Sequence, residues 1–327
     1  MVATLVSGSG ESRPKPLVVI AGPTGSGKST LAVRLAEEFG GEIVSCDSVA
    51  VYREMEIGTA KPSLADRARV PHHLLDVAWP DETFTAGDWS RLARVALAGI
   101  SDRERLPIVA GGTGLYLRAL VNGLFPAPAV SPELRARLRE RATARGAAYL
   151  HRLLRRVDAR SAEQIHPNDL PKIVRALEVT LTGRRPMSEQ WEVGREPLEG
   201  YAILRLGLAP PRVDLYGRIE ARAEWMFDNG LVAETERLIE RYGRECRALG
   251  SLGYAEAGAV LRGELSLDDA VTQAQQGHRN YAKRQGTWFR REPGMHWLAG
   301  FGDGAEVLGE ARRLVSGHLR SYADRSR

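Results

Sequence analysis

Residues 17–21 (LVVIA) form an unbroken β-branched apolar run, which predicts a buried strand of the parallel type. The glycine-rich stretch GPTGSGKS (22–29) follows at once, and Leu31, Leu35 and Phe39 then recur at helical spacing. The predicted order is strand, glycine loop, helix. A second apolar stretch, 42–45, runs into Cys46-Asp47-Ser48, and a third, 107–110, runs into Gly111-Gly112-Thr113-Gly114. Between them, 90–98 has the periodicity of a helix. Strands alternating with helices, and ending in polar or glycine residues, predict an α/β fold with an open parallel sheet. Ligands of such sheets bind beyond the carboxyl ends of the strands. The loops 22–29, 47–52 and 111–114 are therefore the candidate binding loops.

The pattern changes at Phe125-Pro126-Ala127-Pro128. From 131 to about 183 the chain is arginine-rich and helical in period, with no strand. Ser131-Pro132-Glu133 reads as a helix start, with serine at the N-cap and proline at the first position. Asp169 and Pro171 start another helix carrying Ile173, Val174 and Leu177. Residues 202–208 (AILRLGL) return to strand character, and the remainder is mostly helical. The expected organisation is a flexible tail over 1–15, an α/β core built from 16–127 and 201–327, and a helical insertion over 128–200.

Composition narrows the function classes. The net charge of +5 suits a polyanionic partner without demanding one. The only cysteines, Cys46 and Cys246, are far apart and lack metal-ligand spacing, so a disulfide framework or zinc site is not expected and a reducing cytoplasm fits. No apolar run reaches bilayer-spanning length, and the start of the chain lacks the pattern of a signal peptide.

The sharpest chemical signal is the loop Gly22-Pro23-Thr24-Gly25-Ser26-Gly27-Lys28-Ser29, which matches G-x-x-x-x-G-K-[ST]. Its glycines let backbone N–H groups converge on phosphate oxygens, and the next helix turns its N-terminus to the same charge. Lys28 adds a mobile cation, and the Ser29 hydroxyl suits Mg²⁺ bridging phosphate oxygens. Asp47, just past the second strand, could hold a metal, accept a proton or cap a helix. Thr113 sits in a tight turn at another strand end, where its hydroxyl would point into the same crevice. Arg222 falls in a helical stripe with Leu215, Ile219 and Met226, so it either snorkels to the edge or meets an anion. In 278–291, Arg279, Lys283, Arg284, Arg290 and Arg291 interleave with Tyr281, Trp288 and Phe289. That segment could bind RNA by charge and stacking, or be a solvated amphipathic helix with its aromatics in the core.

Taken together, the stretches GPTGSGKS (22–29), DSVAVYREMEIGTAKP (47–62), PHHLLD (71–76), GGTGLYL (111–117), HPND (166–169), RALEV (175–179) and AKRQGTWFR (282–290) make the chain similar to the tRNA dimethylallyltransferases, or tRNA isopentenyltransferases. The resemblance runs from about residue 17 to 297, and its most particular parts are 47–62 and 282–290. It implies a P-loop NTPase-like core, and transfer of a dimethylallyl group from dimethylallyl diphosphate to the exocyclic N6 of the adenosine beside the anticodon. It further implies the loop 22–29 on the donor's pyrophosphate, Mg²⁺ at Ser29, Asp47 as general base, Thr113 near the reaction centre and Arg222 on the donor phosphates. Contacts to the tRNA anticodon stem-loop are implied for Asp47, Ser48, Val49, Ala50, Thr113, Arg135, Pro171, Lys172, Ile173, Val174 and Arg175. The same holds for 250–255 and for Lys283, Arg284, Gln285, Gly286, Thr287, Trp288, Phe289 and Arg290. A cytoplasmic monomer is expected. The chain departs from the family pattern at Ala50, Ala255 and His278-Arg279-Asn280. A nucleotide or small-molecule kinase and an RNA-binding ATPase are the competing readings; the former would need a metal-binding carboxylate where the third strand ends in glycines.

Overall fold

The computed structural model of the chain describes residues 13–125, 128, 130–191 and 194–324. The first twelve residues of the expected tail lie outside this range. Two compact units are present, one made of residues up to 120 and from 198 onward, the other of 121–197.

The larger unit is built on six parallel strands: β1 (Lys15–Ala21), β2 (Gly41–Cys46), β3 (His72–His73), β4 (Leu106–Gly111), β5 (Tyr201–Leu208) and β6 (Met295–Leu298). Their order across the sheet is β3-β2-β4-β1-β5-β6. The central strands are buried runs because helices cover both faces. On one side the Lys28–Phe39 and Ala305–Asp324 helices bury Leu31, Leu35, Val307, Ala311 and Val315 against Val18, Ile20 and Leu206. Elsewhere in the unit, the Ala86–Asp102 helix buries Trp89, Ala93, Leu97 and Ile100, and a Thr85–Asp88 capping box fixes its start. The Trp89 indole also donates to the Ser45 carbonyl, 2.9 Å away, tying this helix to β2. Each such fully buried large side chain contributes about 1.5–3 kcal/mol relative to exposure.

Register decides what this sheet can do. Ala21 pairs with Gly111, and Gly111 with Cys46, so β1, β4 and β2 end level with one another. The residues that follow, Gly22, Gly112 and Asp47, therefore emerge side by side.

Three expectations need correction. The chain is already in β1 at Lys15, which pairs with Tyr201 and whose ammonium meets Asp102 at 2.9 Å, so the tail ends sooner than composition suggested. β3 and β6 were not foreseen, because a two-residue His-His strand and the edge strand MHWL carry no sustained apolar run. The insertion, expected over 128–200, is the unit 121–197. Its entry and exit run together at Gly123, where a β-carbon would overlap the Glu196 backbone, so the physical boundary precedes the proline-rich break.

The smaller unit is helical, with Leu138, Leu150, Leu154, Ile173, Val174 and Leu177 in its core. Ser131 caps the Pro132–Arg145 helix and Asp169 caps Leu170–Gly183. Glu178 is fully buried there and accepts from the Ser131 N–H, from Arg135 through two 2.9 Å bonds, and from Arg175. Burial alone would raise its pKa, but these bonds outweigh it and hold the carboxyl below its ordinary range.

Candidate active site

A cavity of about 250 Å³ opens at the carboxyl ends of β1, β2 and β4. Among its walls are Thr24, Lys28, Ser29, Asp47, Arg222 and Tyr281.

The glycine loop supplies one wall. Gly25 and Gly27 have φ of 78° and 84°, left-handed values that favour glycine. Lys28 opens the Lys28–Phe39 helix, and its ammonium folds back to donate to the Pro23 carbonyl at 2.7 Å. Burial pulls its pKa down to about 8; the Asp47 charge opposes the shift and the Arg222 charge adds to it. Arg222, from its apolar stripe, reaches the loop and donates to the Thr24 hydroxyl at 3.3 Å. Burial lowers its pKa, with Asp47 again opposing.

Asp47 supplies the opposite charge. Its Oδ1 accepts from the N–H groups of Val49 (2.8 Å) and Ala50 (3.2 Å), which caps a turn and not a helix. Among the described residues Oδ2 has no hydrogen-bond partner. Thr113 is tied to this turn: its hydroxyl accepts from the Ser48 N–H at 3.0 Å and donates to the Ser48 hydroxyl at 3.4 Å. It therefore braces the Asp47 loop.

The floor comes from the Leu267–Phe289 helix. Gln285 accepts from the Thr24 N–H at 2.7 Å and donates to the Gly112 carbonyl at 2.9 Å. One amide thus stitches the glycine loop to the third strand-end loop. Gly112 permits the approach, since a β-carbon there would strike the Gln285 amide. Tyr281, one turn earlier, lines the cavity, and burial pushes its hydroxyl up to about 12. These side chains include two cations, a carboxylate with one free oxygen and several hydroxyls, an arrangement that can meet an anionic group on one side and accept a proton on the other.

Comparison with known proteins decides the family. The IPP transferase profile matches residues 50–292. The chain is 58% identical over 299 residues to the tRNA dimethylallyltransferase of Koribacter versatilis, covering 91% of this chain and 97% of that one. It is 55% identical to the Solibacter usitatus enzyme of the same name, covering 93% and 99%. The chain belongs to the IPP transferase family. Among solved members, the Bacillus halodurans tRNA isopentenylpyrophosphate transferase superposes with a TM-score of 0.70 at 33% identity, over 95% of this chain and 99% of that one. A eukaryotic dimethylallyltransferase acting on tRNA superposes with 0.79 at 26% identity, over 94% and 80%.

The residues for which RNA contacts are expected divide between buried and exposed positions. Gln285 and Phe289 are buried, at 5% and 1% exposure, because they lie on the inward stripe Ala274, His278, Ala282, Gln285, Phe289. Trp288 packs on Gly114 and carries the Arg118 guanidinium 4.3 Å above its ring, so that face is occupied by protein. Gly286 is half-buried, whereas Lys283, Arg284, Thr287 and Arg290 are exposed on the other side of the helix. In the smaller unit Ile173 and Val174 are core, Arg135 and Arg175 are committed to Glu178, and Pro171 and Lys172 are exposed. Ala50 is buried but lines the cavity, as Ser48 and Val49 beside it are half-buried. In 250–255, Tyr254 is fully buried and donates to Glu234 at 2.6 Å. A helical period marks such residues as a stripe, but composition does not tell which side of the stripe faces inward.

One group within the stretches 47–62 and 71–76 carries no residue-level signal of its role. The Lys61 side chain is 1% exposed and donates to the Tyr52 carbonyl (2.6 Å), Asp76 (2.6 Å) and Glu56 (3.1 Å), while Arg67 also reaches Asp76 at 2.9 Å. Val77 and Ala78 donate to the Val51 carbonyl at 2.8 and 3.0 Å, so this brace fixes the loop that begins at Asp47.

Proposed function

We propose that this chain transfers a dimethylallyl group from dimethylallyl diphosphate to the exocyclic N6 of the adenosine adjacent to the anticodon of tRNA, releasing pyrophosphate. The observation that carries the reading is Asp47, with a free Oδ2, sharing one small cavity with Lys28 and Arg222.

Adenine N6 is a weak nucleophile because its lone pair is delocalised into the ring, so departure of the leaving group must drive the reaction. The allylic C1–O bond breaks with its electron pair going to the diphosphate, while the N6 lone pair forms the new N–C1 bond. The N6 proton passes to Asp47 Oδ2, which lacks a competing partner, while Oδ1 stays in its turn and keeps the carboxylate oriented. Charge growing on the pyrophosphate is met by the loop N–H groups, by Lys28 and by Arg222. Thr113 serves this chemistry by holding Ser48, and so Asp47, in place.

Mg²⁺ fits the donor set. Ser29 is exposed at the cavity wall, and among the described residues no group of three or more His, Cys, Asp or Glu could hold an ion by itself. Mg²⁺ commonly keeps waters and takes one or two protein ligands beside substrate phosphates. When bound at Ser29 it would neutralise phosphate charge.

Reaching N6 requires the adenosine to leave its stack, which an anticodon loop permits more readily than a duplex. Exposed Lys283, Arg284 and Arg290 supply phosphate contacts. Among the described residues no helix is long and apolar enough to cross a membrane. A cytoplasmic monomer is the form proposed. The test is incubation with radiolabelled dimethylallyl diphosphate, Mg²⁺ and unmodified tRNA, followed by nucleoside analysis. Label appearing in a prenylated adenosine is expected; label absent from RNA, or ATP consumed in its place, would reject the reading.

A further inference from the structure

Arg218 lies one helical turn before Arg222 on the Arg212–Asp228 helix, and both line the phosphate-loop cavity with Gly25, Gly27 and Lys28. The two arginines are held differently. Arg222 already donates to Thr24 of the loop. Arg218 instead uses Nη1 to bind both oxygens of Asp303, at 2.9 and 3.0 Å, and its guanidinium lies 3.7 Å from the centre of the Phe301 ring. Its Nε and Nη2 donors have no partner among the described residues.

The carboxylate that holds Arg218 is itself positioned by the phosphate loop. Gly302 donates its N–H to the Ser26 carbonyl at 2.9 Å. Gly302 and Gly27 pack backbone to backbone, closely enough that a β-carbon on Gly302 would overlap the Gly27 carbonyl. Arg34, from the helix that the loop opens, donates to the Asp303 carbonyl at 3.3 Å. Asp303 is thus anchored beside the loop. The hydrogen bond from Arg218 holds its carboxyl below the ordinary range, so it is charged at neutral pH.

Stability gives little reason for the arrangement. The two side chains are 45% and 39% exposed, and exposed pairs of this kind contribute about 0–1 kcal/mol. What the pair does achieve is orientation: a long, flexible arginine is fixed by a ring on one face and a carboxylate at one nitrogen, with its remaining fork free at the cavity wall. A planar fork of this kind suits two oxygens of a phosphate.

We propose that Arg218 is a second arginine binding the donor's diphosphate, and that Asp303 is its positioning residue. The proposal rests on the reading that the loop holds a diphosphate. Calorimetric titration of the full chain with inorganic pyrophosphate and Mg²⁺ tests it, alongside steady-state kinetics and tRNA affinity. Arg218→Gln should weaken pyrophosphate binding about tenfold and raise the donor KM, with tRNA affinity unchanged. Arg218→Lys, which keeps charge but loses the fork, should recover part of that loss. Asp303→Asn should weaken binding about threefold alone and add nothing in the Arg218→Gln background. Wild-type pyrophosphate affinity in Arg218→Gln overturns the binding role. Additive losses in the double variant overturn the positioning role. Should Arg218→Gln not fold, the lysine and Asp303 variants decide, and wild-type affinity in both overturns the proposal. Failure of the unmodified chain to bind pyrophosphate would instead remove the diphosphate reading beneath it.

Discussion

Asp47 shows how one side chain can satisfy a structural role and keep a chemical one. One oxygen caps the 47–50 turn and the other is free, so removing the carboxyl takes away the cap and the proton acceptor together. Asp47→Ala should abolish prenyl transfer while leaving tRNA affinity nearly intact; turnover near the wild-type rate would reject the base assignment. His278 makes a different case. It sits on the inward stripe of its helix, its Nε2 has no partner among the described residues, and burial, with the Arg222 charge adding, drives its pKa down to about 4. The unfolded chain therefore takes up a proton as pH falls below about 6.5 while the folded chain refuses it until about 4. Stability is lost across that window as pH falls, by about 2 kcal/mol at pH 5. His278→Gln should remove that part of the acid sensitivity, as urea midpoints at pH 7 and pH 5 would reveal. An equal acid loss in both proteins would show that the imidazole titrates freely.

At the scale of elements, the site depends on braces more than on the loops themselves. Lys61 is a buried cation holding two acids and a carbonyl; its removal strands the Tyr52 carbonyl but leaves both partly exposed acids with Arg67, at a cost of about 1–3 kcal/mol. Lys61→Met should lower stability by that amount, and a shift below 1 kcal/mol would mean the loop is held by its backbone pairing alone. Gln285 is the corresponding brace on the other side. Gln285→Leu keeps the volume but strands the Thr24 N–H and the Gly112 carbonyl, at about 1–3 kcal/mol for each unpaired group. Weaker pyrophosphate binding with an unchanged salt dependence of tRNA binding is expected. A changed salt slope would return Gln285 to the RNA contacts that the motif suggested. The parallel strands were legible because their apolar runs report burial on both faces. β3 and β6 were not, because edge pairing needs backbone geometry and leaves no comparable run.

Across the whole molecule, the charges that remain free decide where a polyanion can bind. Arg135 and Arg175 are spent on Glu178, whereas Lys283 and Arg290 are exposed and without an ion-pair partner among the described residues. Lys283→Ala and Arg290→Ala should each weaken tRNA binding and reduce its salt slope by about one unit. Arg135→Ala should act mainly through stability, since it leaves a buried carboxylate half-paired. Tight tRNA binding with an unaltered salt slope in both helix variants would place the RNA face elsewhere.

The sequence by itself determined the strand-loop-helix at 17–39, the glycine-rich loop 22–29, the helical insertion and the three loops that meet at the strand ends. These follow from local periods and from glycine positions that a short window contains. Tertiary structure alone decided that Gln285 and Phe289 face inward, that Arg135 is spent on Glu178, that Lys61 braces Asp47 and that Asp303 sets Arg218. Apart from Lys61, whose partners lie 5 to 15 residues away, each depends on a partner far along the chain, and no local pattern specifies which partner a buried polar group will find.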